Sequence, residues 1–255
     1  MPSNDMRDYE RCFEKRLLRS LDDFQPEWLT TSRQKFTASA KARRFPGLTV
    51  IARPNLASPA CAKMKGIQRR IQSVLADAGM ADAFAFLDAD SFHMTVCDIE
   101  PTSFDDVTDV PPNVLAARTQ QVREAFIKIG APGRICVRIE DLGLTSTITL
   151  SVRFSDDAEL AKVRAIEKTI KATTGVDNRD FCGHISLAYW ANEPANFRQL
   201  LAILKQIEGE MGVIETEFDR IDYTYFPDMN SFIPIWSKDL QTGAIYAGCP
   251  LIHLP

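Results

Sequence analysis

The chain has 255 residues, 45% of them hydrophobic and 25% charged, which is enough apolar material for a substantial core. No apolar run approaches the roughly eighteen residues of a membrane span, and the charged opening "MPSNDMRDYERCFEKRLLRS" lacks the apolar stretch of a secretory signal, so a cytoplasmic protein with no membrane partner is expected. The net charge of −4 is unevenly spread, with 15 basic and 8 acidic side chains in residues 1–79 and 15 and 26 in the remainder, which excludes the broad basic face that duplex DNA requires.

"KARR" at 41–44 and "KMKGIQRR" at 63–70 can form a local basic patch for a nucleotide or RNA end, or more ordinarily a solvated helix face. Cys12, Cys61, Cys97, Cys136, Cys182 and Cys249 form no C-x-x-C pair and no zinc-ligand spacing. Their mostly apolar surroundings predict buried, reduced thiols.

In chain order, residues 7–20 read as a helix and 21–45 as an irregular segment, so 1–45 is an N-terminal helical arm and 46–255 the main domain. "LTVIA" then reads as a strand, and "SPACAKMKGIQRRIQSVLADAG" as a helix with Ser58 as N-cap, Pro59 in its first turn and Gly79 as its stop. "AFAFL" and "FHMTVCD" read as strands around the turn "DAD", followed by a helix over 114–129 and the strand "RICVRIEDL". From Thr145 the order begins again, with strand "STITLSVRF", helix "DDAELAKVRAIEKTIKATTG", strand "CGHISLAYW" and helix "PANFRQLLAILKQIEGEMG". The strands "TEFDRIDYTYF" and "SFIPIW", joined by the turn "PDMN", close the pattern.

Strand–helix–strand–helix–strand, twice over, predicts an α+β fold. Its two lobes span about 46–144 and 145–238, with a tail over 239–255, and each lobe is a mostly antiparallel sheet with helices outside. Ile148, Leu150, Val152 and Phe154 form an apolar strand face, opposed to Thr147, Thr149, Ser151 and Arg153. Ile135, Val137 and Ile139 are likewise opposed to Cys136 and Arg138. Two polar faces turned toward each other make a central wet cleft.

The chemistry concentrates on two of the three histidines. In "SFHMTVCD", Phe92, Met94 and Val96 point one way while His93 and Thr95 point the other; in "CGHISLAYW", Ile185, Leu187 and Tyr189 alternate with His184 and Ser186. A lone strand histidine is ordinarily a hydrogen-bonded structural residue. By composition, a histidine is followed by x-[ST]-aliphatic roughly once in 25 trials, so two such tetrads on alternating strands are not a chance expectation.

H-x-T-V (His93, Thr95, Val96) and H-x-S-L (His184, Ser186, Leu187), about ninety residues apart, resemble the two-histidine (2H) phosphoesterase superfamily, which includes LigT-like 2′-5′ RNA ligases, cyclic nucleotide phosphodiesterases and RNA-end-processing enzymes. The resemblance covers roughly residues 47–238, and "YTYFPDMNSFIPIW" is similar to an uncharacterised bacterial branch. It implies a bilobal fold with one motif from each lobe and metal-independent, cofactor-free chemistry on a phosphodiester, often a 2′,3′-cyclic one. His93 and His184 would be the acid/base pair, and Thr95 and Ser186 would bind phosphoryl oxygens. The arm has no counterpart in the minimal pattern and would cover part of the cleft.

Secondary candidates are Arg153 and Arg138 for phosphate, or as plain exposed strand arginines. Tyr223, Tyr225 and Phe226 are candidates for base stacking, or for core packing, and Tyr189, which with Trp190 directly follows the second motif, is a candidate for shaping the cleft. His253 reads as structural.

A rival metal site would use Asp88, Asp90, His93 and Asp98 with His184, although the two earlier aspartates read as turn residues. No G-x-S-x-G elbow supports a serine hydrolase. The expected function is hydrolysis of 2′,3′-cyclic or related phosphodiesters of nucleotides or RNA ends by a monomer. The alternatives are 2′-5′ RNA ligation and non-catalytic binding of a nucleotide or RNA end.

Overall fold

The structure, a computed structural model, describes residues 3–14, 16–100, 109–177 and 181–248. Its helices are α1 (Asn4–Glu14), α2 (Pro26–Arg33), α3 (Pro59–Asp77), α4 (Pro112–Ile129), α5 (Asp157–Thr174) and α6 (Phe197–Met211). Its strands are β1 (Gly47–Ala52), β2 (Phe84–Phe86), β3 (Met94–Glu100), β4 (Ile135–Leu144), β5 (Thr147–Phe154), β6 (His184–Trp190), β7 (Ile214–Phe218), β8 (Arg220–Asp228), β9 (Ser231–Asp239) and β10 (Ile245–Ala247). The fold is α+β. His253 and Cys249 lie outside the described residues.

Local chemistry sets the helix ends. The Ser58 side chain accepts from the Cys61 N–H ahead of Pro59, and Asp156 accepts from the N–H groups of Ala158 and Glu159. Gly175 takes the left-handed conformation (φ 71°) that ends α5.

All pairings are antiparallel, in the order β10-β9-β8-β1-β3-β6-β5-β4-β7, with β2 added against β6. The expected pair of sheets is therefore one sheet in two halves, joined where Met94 of β3 faces Ile185 of β6, the single residue pair between those strands. The four long helices pack on one face. There Phe92, Met94, Val96, Ile148, Leu150, Val152, Ile185 and Leu187 join the main core.

The halves of the sheet are not the two halves of the sequence. β4 lies beside β5 and β7, whereas β8, β9 and β10 return to β1, so the division expected at residue 145 does not follow strand pairing. The exchange occurs inside "TEFDRIDYTYF", which the periodicity presents as one strand. Phe218 and Ile221 are both buried in the main core at an odd spacing that a period of two cannot satisfy. The chain breaks at Asp219, whose carbonyl accepts from Leu240 N–H, and β7 and β8 go to different partners.

The first 45 residues are more structured and more deeply packed than expected. The helix expected over 7–20 ends at Glu14, because the Arg16 carbonyl accepts from Leu144 N–H at 2.8 Å and Leu17 bridges to Gly143. Met6, Tyr9, Phe13, Leu17 and Leu18 are buried in the main core, and α2 forms within the segment expected to be irregular.

Further along, Ser32 Oγ donates to Ser146 O (2.6 Å), Asn192 donates to Ala38 O (2.9 Å), and Phe45 N–H donates to Pro227 O (2.8 Å). The segment thus runs from one half of the sheet to the other. Cys12 and Cys182 are joined by a disulfide, which corrects the expectation of reduced thiols at these two positions; Cys61 and Cys97 are free and buried, and Cys136 is free and exposed. Apolar context alone could not show that α1 lies against the start of β6.

Tyr9 makes this docking specific. Its hydroxyl donates to Val152 O at 2.5 Å and accepts from Gly183 N–H at 3.2 Å, with the ring 1% exposed. Gly183 is required by that approach, since a Cβ there would stand 2.6 Å from the Tyr9 oxygen. Tyr9→Phe leaves a buried N–H and carbonyl without their partner, and the expected loss is about 1–3 kcal/mol. Denaturant unfolding of the two proteins measures it, and equal midpoints would contradict this docking.

Candidate active site

The Met94–Ile185 pair determines where the two motifs meet. Side chains alternate along each strand, so with Met94 and Ile185 facing the helices, His93, Thr95, His184 and Ser186 all face the other side. Met94 and Ile185 are the paired residues, and extending the antiparallel register one residue each way puts His93, which immediately precedes β3, opposite Ser186, and Thr95 opposite His184. Directly opposed Cβ atoms in such a ladder are about 4.5–5.5 Å apart and diagonal ones about 7–8 Å. Each imidazole therefore neighbours the other strand's hydroxyl, with the second imidazole diagonal to it.

The two imidazoles are held alike. His93 Nδ1 is 2.6 Å from Ser91 O, and His184 Nδ1 is 2.9 Å from Cys182 O, in each case the carbonyl two residues upstream. A carbonyl only accepts, so Nδ1 carries the hydrogen and Nε2 presents a lone pair. Arg16 Nη1 lies 3.3 Å from His184 Nδ1, where it acts as a neighbouring charge because that nitrogen's hydrogen is directed at Cys182 O. Neither Nε2 atom, nor the Thr95 or Ser186 hydroxyl, has a hydrogen-bond partner among the described residues.

Both rings are half-buried among cations. Burial pulls the pKa of His93 from 6.5 down to about 4, assisted by Arg53, His184 and Lys35 against the opposing effect of the Ser91 carbonyl. Burial likewise lowers His184 to about 4, with Arg16 next in effect and Lys35 adding to it against the Cys182 carbonyl. Arg53 continues the face of Thr49 and Ile51 just past β1, 3.5 Å from the buried Asp222 carboxylate, and it donates to Phe232 O.

A second, smaller apolar cluster covers this side of the sheet, built from Phe36, Phe45, Tyr189, Phe226 and Phe232 with aliphatic neighbours. The Phe232 ring lies 4.1 Å from the His93 ring. Tyr189 reaches the cluster because the β5–β6 register shifts between Ile148 and Thr149. It therefore leaves the face of Ile185 and Leu187 expected from simple alternation, and Trp190 takes the core side.

The remaining sequence candidates separate. Phe226 lies in the second cluster, 5.4 Å from Phe232. Tyr223 and Tyr225 belong to the main core on the helix side, away from the histidines, because strand alternation places them with Ile221; the Tyr225 hydroxyl donates to Asp109 at 3.1 Å. Stacking on a substrate base is therefore corrected to core packing for these two.

Arg153 faces the polar side but is engaged by carboxylates, donating to Asp141 at 2.6 and 3.0 Å and lying 3.8 Å from Glu10 and Glu140. Arg138 is exposed and paired with Glu140 at 3.1 Å. Both arginines are thus held by carboxylates.

The cations that do act on the histidines are Arg16, Lys35 and Arg53. Alternation from Thr49 could have found Arg53; no periodic signal marks the other two. Of the rival metal ligands, Asp90 pairs with Lys65, and Asp98 accepts from Thr49 Oγ1 at 3.2 Å. Among the described residues no group of three or more His, Cys, Asp or Glu side chains converges as metal ligands, and no helix is long and apolar enough to cross a membrane.

Residues 35–126, which contain the first motif, match the family model 2H-phosphodiest, described as a domain of unknown function (DUF1868). No curated protein matches the chain by sequence. The fold is similar to the crystal structure of a conserved protein of unknown function, ATU0111, from Agrobacterium tumefaciens, at 19% identity and a TM-score of 0.62 over 95% of this chain and 100% of that one. It is also similar to E. coli LigT complexed with 3′-AMP, at 15% identity and a TM-score of 0.49 over 77% of this chain and 98% of that one.

The lowered pKa values predict that both imidazoles are neutral at pH 7 in the free protein. NMR titration of the ring protons should give midpoints near 4 for His93 and His184. The unfolded chain, with histidines near 6.5, binds more protons than the folded one between about pH 6.5 and 4. Stability should therefore fall as pH drops through that window, and the double variant His93→Gln/His184→Gln should flatten the fall. Ring midpoints at 6.5 would contradict the described burial.

Proposed function

We propose, from the premise that this chain belongs to the two-histidine phosphoesterase superfamily, that it hydrolyses 2′,3′-cyclic or related phosphodiesters of nucleotides or RNA ends without a metal. The observation that carries the reading is the quartet of His93, immediately before β3, with Thr95, His184 and Ser186 on one side of two adjoining strands, each imidazole held through Nδ1 with Nε2 unengaged.

Hydrolysis of a cyclic phosphodiester removes a proton from water as its oxygen bonds to phosphorus, and delivers a proton to the ribose oxygen as its bond to phosphorus breaks. The water oxygen arrives on one side of phosphorus and the ribose oxygen departs from the opposite side. Two diagonal Nε2 atoms suit that task, one as base and one as acid, and each typically contributes about 10²- to 10⁴-fold. The Thr95 and Ser186 hydroxyls would donate to the nonbridging oxygens, where charge is accommodated in the transition state. The base ends the step protonated and the acid neutral, and exchange with solvent restores them.

An acid must hold a proton, and both rings are neutral in the free protein at pH 7. The substrate supplies the remedy: its phosphodiester anion offsets the field of the neighbouring cations and raises the imidazole pKa values in the complex. The pH optimum of kcat, which reports the complex, should therefore lie above that of kcat/KM, which reports the free protein.

His93→Ala and His184→Ala should each reduce hydrolysis of 2′,3′-cyclic nucleotides by about 10²-fold or more, while activity persists in EDTA. Full activity in either single variant would reject the paired acid/base role. Binding of cyclic nucleotides or RNA ends with no product formed would replace hydrolysis by a binding function.

A further inference from the structure

Three cations act on the two imidazoles, and their surroundings differ. Arg53 has the Asp222 carboxylate at 3.5 Å, and Arg16 lies against His184 Nδ1. The Lys35 ammonium rests on aromatic faces instead, 4.9 Å from the centroid of Tyr189 and 5.1 Å from that of Phe45. No carboxylate lies within 4.0 Å of it among the described residues.

Backbone hydrogen bonds and a buried neighbour hold it in place. Lys35 N–H donates to Ser32 O (2.9 Å), and its carbonyl accepts from Arg43 N–H (2.7 Å). The next residue, Phe36, is 1% exposed and stacks on Tyr189 at 5.3 Å. The cluster that seats Lys35 continues through Phe226 to Phe232, the ring against His93, while Tyr189 lies on the strand that begins with His184. Lys35 accordingly depresses the proton affinity of both imidazoles.

A half-buried ammonium pays for lost hydration, and two ring faces return less than a carboxylate does. Such a group beside two neutral imidazoles is a seat for an anion. We propose that Lys35 is a substrate-binding residue whose ammonium group, brought to the paired histidines by the N-terminal segment, holds the phosphate anion of the nucleotide or RNA-end phosphodiester. The inference rests on the phosphodiesterase reading for its substrate, and it adds a third contributor to a site otherwise built from the two motif strands. The charge is present in the ground state and the transition state alike, so its loss acts mainly on binding.

The test compares wild type with Lys35→Met, which keeps the stem without the charge, and Lys35→Arg, which keeps the charge. KM and kcat are measured on 2′,3′-cyclic AMP, and inorganic phosphate binding is measured by calorimetry. Lys35→Met should raise KM and weaken phosphate binding about 10-fold, with kcat changed far less, and Lys35→Arg should recover most of the loss. Unchanged KM and phosphate affinity in Lys35→Met would overturn the proposal.

If wild type turns over no cyclic nucleotide, the catalytic reading fails and the phosphate titration still decides Lys35. Weaker binding in Lys35→Met supports the proposal, and equal or undetectable binding in both proteins overturns it. Lys35→Gln takes the place of Lys35→Met should that variant not fold.

Discussion

The contact between Met94 and Ile185 is the joint on which the arrangement depends. It is the single residue pair between two otherwise well-laddered half-sheets, and both of its side chains are buried against the helices. Burial on that face obliges the flanking residues to the other, which brings two histidines and two hydroxyls together without any loop having to place them. A slip of one residue at this joint would turn one motif into the core, so the apolar neighbours Phe92, Val96 and Leu187 hold the register as well as the fold.

The N-terminal segment reinforces the joint from outside. It enters at Gly183 through Tyr9, continues past Gly143 and Ser146, crosses Tyr189 with Phe36 and ends at Pro227 through Phe45. It therefore touches both halves of the sheet, and the Cys12–Cys182 bond fixes its start two residues before His184. Burial by this segment and by Phe232 is also what keeps the imidazoles neutral. The same residues that stabilise the joint thus tune the groups beside it.

Charge around the pair is arranged in a way that composition conceals. The acidic balance of the chain is spent on pairs such as Asp141 with Arg153 and Glu140 with Arg138, at the β4–β5 end of the sheet. Near the histidines the field is positive, from Arg16, Lys35 and Arg53. A chain of net negative charge can present a local seat for an anion because neighbouring ion pairs cancel over short distances, and screening removes the rest.

By itself the sequence determined the alternation that separates His93 and Thr95 from Phe92, Met94 and Val96, the helix starts at Ser58 and Asp156, and the resemblance carried by two spaced tetrads. These are local properties, decided by period, capping chemistry and residue type. The tertiary structure alone decided which strands are neighbours: the break at Asp219, the return of β8 to β1, and the bulge that moves Tyr189 off the apolar face. It also decided which cations act on the imidazoles, because Arg153 and Arg138 meet carboxylates brought near by pairing, while Lys35 and Arg16 arrive on a segment with no periodic signature. Pairing partners and charge neighbours are long-range contacts, and no pattern confined to consecutive residues carries them.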